Sequence, residues 1–121
     1  MTGQNSLLGY ATDLLDGKIS IGASAPRTAA LLARCALEEW LDQKSHPWSS
    51  TSYPYPTTTS KLIALEVLED GDLGARARRL WSALSKAVHH HAYELQPSAA
   101  EVRHLVNQVR ALDADDLVPN H

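Results

Sequence analysis

The spacing of apolar residues constrains this chain more than any other feature. Leu7, Leu8, Ala11, Leu14 and Leu15, and later Ala29, Leu32, Ala33, Ala36, Leu37, Trp40 and Leu41, recur at three and four positions, as one face of an amphipathic helix requires. No stretch sustains the period-two alternation of a half-buried strand, so the expected fold class is all-α, a small bundle of four to five helices. A chain of 121 residues has material for one core and not for two, so residues 1–121 read as a single domain.

Helix ends follow from local chemistry. Asn5 or Ser6 caps a first helix, and Gly17 stops it, because glycine enters the left-handed region without cost to a Cβ. Pro26 suits the first turn of a second helix that continues to about Lys44, with Arg27, Arg34, Glu38 and Asp42 on the side away from its apolar half. SHPWSSTSYPYPTTT, residues 45–59, holds three prolines and eight Ser/Thr and reads as a long loop. Such a loop is either a spacer or a functional cover, and Trp48, Tyr53 and Tyr55 could pack it over a small-molecule cleft. SKLIALEVLEDG predicts a third helix, apolar nearly all round at Leu62, Ile63, Leu65, Val67 and Leu68 and hence central, ended by Gly71. Asp72 caps the longest helix, which runs to about Gln96 because Pro97 disfavours helical geometry in the residue before it. Ser98 and Glu101 form a capping box for a last helix with Val102, Leu105, Val106, Val109 and Leu112 on one face. Residues 113–121 read as a frayed tail.

Composition excludes several classes of function. No apolar run approaches the roughly 20 residues a membrane span needs, so no membrane partner is expected. The amino-terminal stretch lacks a basic segment followed by an apolar one, so the expected location is the cytoplasm. Cys35 is the single cysteine, which rules out an intrachain disulfide and any multi-thiolate centre, and its Ala/Leu-rich setting predicts a packing residue. A formal charge of −3 argues against broad electrostatic capture of nucleic acid while leaving room for a local basic patch.

LSKAVHHHAYEL, residues 84–95, carries the chemistry. On a helix turning about 100° per residue, His91 joins the core-facing stripe of Leu73, Ala77, Leu80, Leu84, Ala87, Val88 and Leu95, whereas His90 lies near Lys86 and Glu94, and His89 one turn before Tyr93. The three imidazoles point in three directions and cannot share one ion. His90 with Glu94, and Glu101 with His104, have two-ligand metal spacing, but helices one to three supply no buried carboxylate to complete a site, and His104 falls opposite the apolar stripe. Neither a metal nor another cofactor is expected. A core histidine for His91 and a solvated ring for Tyr93 are the structural alternatives to catalytic roles.

With RTAALLARCALEEWLD upstream and PSAAEVRHLVNQV downstream, this stretch resembles the small bacterial helical proteins of the HEPN superfamily over residues 25–112. Lys86, His91 and Tyr93 match the Arg-x4-His-x-Tyr pattern of one toxin branch, with lysine in the arginine position. The resemblance implies a helical homodimer, possible RNA as substrate, metal-independent ribonuclease activity of toxin or defence type, and a nucleotidyltransferase or antitoxin partner. It also implies catalytic roles for His91 as general acid/base, Lys86 as phosphate ligand and Tyr93 as positioning or modified residue. Lysine is a point charge where arginine offers a planar fork, and Lys86 and His91 point about 140° apart on a straight helix, so two subunits would have to complete the site. Arg76 and Arg79 share a side with Lys86 and, with His90, are the candidate substrate-binding residues; a solvated face balanced by Glu66, Glu69 and Asp70 is the alternative. The rival function is a catalytically inactive HEPN-like interaction module that keeps the bundle and the dimer surface.

Overall fold

A computed structural model describes residues 3–19, 25–49, 57–68, 71–89 and 97–117, without the side chains of 3–5, 47–49, 113 and 115–117. Five helices occupy them: α1 (Gly3–Leu15), α2 (Ala25–Ser49), α3 (Thr58–Leu68), α4 (Gly71–Val88) and α5 (Ala99–Leu117), with no strand among the described residues. The protein is an all-α bundle.

Several helix ends follow the expected chemistry. Gly17 has φ +78°, its N–H donates to Leu14 O and that of Lys18 to Asp13 O, the paired bonds of a Schellman cap. Ser98 Oγ accepts from Glu101 N at 3.0 Å at the start of α5. Thr57 does the same for α3, its Oγ1 accepting from Ser60 N at 3.1 Å.

Three helix boundaries depart from expectation. α4, expected to be the longest helix and to run to about Gln96, ends at Val88 with His89 in a turn and at 18 residues is shorter than the 25 of α2, and Gly71 and Asp72, expected as stop and cap, lie in its first turn. The 45–59 stretch is not loop throughout: α2 runs on to Ser49 and α3 begins at Thr58, leaving 50–56 outside the described residues. Pro47 lies in the last turn of α2, where proline removes one hydrogen bond and crowds the carbonyl of residue 43, a penalty this end of the helix absorbs, and Ser45, fully buried, anchors that turn to the core. The tail is likewise shorter than expected, because α5 extends to Leu117. Ala and Leu among residues 111–117 favour helix enough to carry it past Leu112.

The centre of the bundle is α2, which touches all four other helices. Ala29, Ala30, Ala33 and Ala36 have no exposed surface, and Leu37, Trp40 and Leu41 almost none. Around them pack Leu8 and Leu14 of α1, Leu62 and Leu65 of α3, Leu73, Ala77, Leu80, Leu84 and Val88 of α4, and Val102, Val106, Val109 and Leu112 of α5. The expectation that α3 is central is corrected: only Leu62 and Leu65 are buried, while Ile63, Val67 and Leu68 are 50%, 75% and 66% exposed. Eleven residues packed on the outer side of α4 cannot bury a full circumference.

Polar contacts tie the helices at the surface. Lys61 Nζ lies 2.6 Å from Asp42 Oδ1, Arg103 Nη1 2.7 Å from Asp16 Oδ1, and Arg78 Nη2 3.3 Å from Glu66 Oε1. The last pair sits beside a close approach of α3 and α4. A Cβ placed on Gly74 would lie 2.5 Å from Glu66 Cα and 2.6 Å from its N, so α3 and α4 pack backbone to backbone there. Among the described residues no helix is long and apolar enough to cross a membrane.

Gly74→Ala is expected to destabilise the fold by about 1–3 kcal/mol through overpacking, partly offset by a gain in helix propensity of up to about 1 kcal/mol. Urea unfolding monitored by circular dichroism reads this out; a net gain in stability would contradict the close contact.

Candidate functional site

The histidine run begins where α4 ends, and α2 holds that end. Val88 is buried, its carbonyl oxygen accepts from Arg27 Nε at 2.7 Å, and His89 N still donates to Ser85 O at 3.0 Å. The last carbonyls of a helix lack intrahelical donors and carry its negative dipole end, so a guanidinium there satisfies both needs.

Two turns further along α2, Arg34 crosses the same seam. Its Cζ sits 4.5 Å from the centroid of the Trp81 ring, and its Nη1 meets His89 Nε2 at 3.0 Å. Arginine only donates, so Nε2 of His89 is the acceptor in this contact. Glu38 Oε1 lies 3.8 Å from Arg34 Nε, close enough for an ion pair and too far for a hydrogen bond, which leaves Nε a buried donor without an acceptor. Ser85 Oγ, between Trp81 and His89 along α4, is a second buried polar atom with no partner. Trp40 Nε1, in the core, is a third such atom, and orphaned polar groups of this kind cost about 1–3 kcal/mol each.

Cys35, beside Arg34 in sequence, is not part of a reactive centre. Burial, then the Glu38 carboxylate, pushes its thiol above the ordinary range, with Glu39 adding to the rise and Arg34 opposing it. The thiol therefore stays protonated at neutral pH, in keeping with a packing role.

The predicted site residues separate into two groups. Lys86 is exposed in the last turn of α4. Arg76 and Arg79 line a cleft of about 540 Å³ between α4 and α5, with Leu80 and Ala83 on the same wall and Leu105, Gln108 and Ala111 opposite. His90, His91, Tyr93 and Glu94 lie outside the described residues, as do Trp48, Tyr53 and Tyr55 as side chains. His104 is exposed as expected and is bonded to Gln108 rather than to Glu101, Nε2 to Nε2 at 2.7 Å. Among the described residues no three His, Cys, Asp or Glu side chains gather as a metal-holding group.

Sequence reasoning missed Arg34, Trp81 and Gln108. It placed Arg34 on the solvent side of α2, whereas α4 passes over that flank and leaves the side chain 22% exposed. The available signal was spacing: Arg27 and Arg34 are two turns apart and share one edge of α2. Compared with known proteins, the chain matches no family model, no curated protein and no solved structure. The HEPN resemblance thus rests on the residues that carry it.

Cys35 is expected to react with iodoacetamide more slowly at pH 8 than the same thiol in the urea-unfolded chain. Because its folded pKa is raised, the native state binds the proton more tightly; stability from this group is full below the ordinary thiol pKa and declines as pH rises toward the folded value. Equal alkylation rates in native and unfolded protein would overturn this.

Proposed function

We propose that the chain is an HEPN-like helical protein that binds RNA at the carboxyl end of α4 and cleaves it without a metal ion, as a homodimer in a toxin or defence role with a nucleotidyltransferase or antitoxin partner. The observation that carries this reading is the convergence of Arg27 and Arg34 from α2 on the end of α4. There the motif offers only Lys86, and Arg34 contributes the planar fork that lysine lacks. Of its five N–H donors the bond to His89 uses one.

In this reading His91 takes the proton from a ribose 2′-hydroxyl as that oxygen attacks the adjacent phosphorus. The P–O5′ bond breaks, a proton passes to the leaving oxygen, and the products are a 2′,3′-cyclic phosphate and a 5′-hydroxyl. Lys86 and Arg34 stabilise the charge on the phosphoryl oxygens, and Tyr93 positions the substrate. A second subunit supplies the partner motif.

A second reading is a non-catalytic interaction module, favoured by the exposed Ile63, Val67 and Leu68 on α3, an apolar surface that cleavage does not use.

RNA cleavage in the presence of chelator separates the two. The enzyme reading expects activity in the wild type, a loss of about 10²–10⁴-fold in His91→Ala, and about 10²-fold in Arg34→Gln. Lys86→Arg should be equal or faster. An inactive wild type, with activity appearing only in Lys86→Arg, would instead favour the interaction module, and a monomer in sedimentation equilibrium would remove the shared site.

A further inference from the structure

The cleft between α4 and α5 has a composition of its own. Its α4 wall carries Arg76 and Arg79 above Leu80 and Ala83, and its α5 wall carries Gln108 between Leu105 and Ala111. At about 540 Å³ it falls within the range of small-ligand clefts, about 300–1,000 Å³. Cations on one rim, a floor of aliphatic side chains and one amide opposite match a ligand with an anionic group and a flat, weakly polar body.

The consecutive arginines divide their work. Arg78 pairs with Glu66 on the α3 side, whereas Arg79 faces the cleft, is exposed and forms no ion pair among the described residues. Two small residues, Ala83 and Ala111, leave the slot open between the helices. Gln108 Nε2 lies 2.7 Å from His104 Nε2, one turn back on α5, and its amide stands at the cleft. An amide edge is a common reader of a nucleobase edge, and guanidinium is a preferred ligand of phosphate.

We propose that this cleft is a nucleotide subsite that seats one ribonucleotide unit, with the phosphate on Arg79 and Arg76, the base against Leu80, Ala83 and Leu105, and the base edge at Gln108. The assignment rests on the RNA reading above and deepens it. Arg79 precedes Lys86 by seven residues, about 10 Å along α4, which corresponds to roughly three stacked nucleotide steps of about 3.4 Å. The cleft would hold a nucleotide close to the cut and set base preference there.

The test titrates the full chain with the four ribonucleoside 5′-monophosphates and, separately, with inorganic phosphate, followed by amide NMR shifts of α4 and α5. Saturable binding is expected for at least one nucleotide, at least about tenfold tighter than for phosphate. It should be lost in Arg79→Ala and blocked in Ala83→Leu, which fills the slot, and unchanged in Arg78→Ala, which removes a neighbouring charge of the same sign. Absence of nucleotide binding, equal affinity for phosphate alone, or equal damage from Arg78→Ala overturns the subsite. A wild type that binds nucleotide without cutting RNA overturns the ribonuclease reading and leaves the subsite standing; one that cuts RNA and binds no nucleotide overturns only the subsite.

Discussion

The row of alanines along α2 is the constraint on which the rest of the structure depends. With Ala29, Ala30, Ala33 and Ala36 fully buried, neighbouring helices approach α2 closely on more than one side. Interaxial distances depend on side-chain size at the contact, and methyl groups permit the short end of the usual range of about 8–10 Å. A leucine row would have pushed the neighbours outward. The small surface of α2 instead lets it serve as the axle of the bundle, and α3 takes a peripheral place against α4, where Gly74 supplies the only comparable notch among the described glycines.

From that arrangement the electrostatics of the candidate site follow. The carboxyl end of α4 must be compensated, since its carbonyls point out of the helix with a partial negative charge and Val88 is too buried for water to do it alone. Arg27 and Arg34 reach there from the flank of α2, and Lys86 adds a third cation in the last turn. Their first role is to finish a helix. In the proposed reading these cations, set beside the Glu38 carboxylate, are what a phosphate would meet.

Features set by nearest neighbours in sequence were legible in advance. Gly17, Ser98 and the apolar stripes of α4 and α5 depend on local backbone geometry and on helical periodicity, and each lies where that reasoning puts it. The overrun of α2 and α5 was not legible, because proline and acidic residues near a helix end are penalties that do not by themselves stop a helix. The place of α3 was misread for a related reason: hydrophobicity all round signals burial only if other helices remain to cover it, and α2 had already taken the centre. Arg34 shows the deeper limit, since whether a flanking cation meets solvent or an indole depends on which helix crosses above it.

The two arginine contacts differ in what they demand of the residues they meet. Arg27 binds a main-chain oxygen, so position 88 is free to drift among apolar side chains of suitable bulk without loosening that tie. Arg34, by contrast, leans on an indole and an imidazole at once. Exchange of any one member leaves the other two mismatched, a bare ring or an unbalanced cation at a half-covered seam. A substitution at 34, 81 or 89 is consequently felt at all three positions.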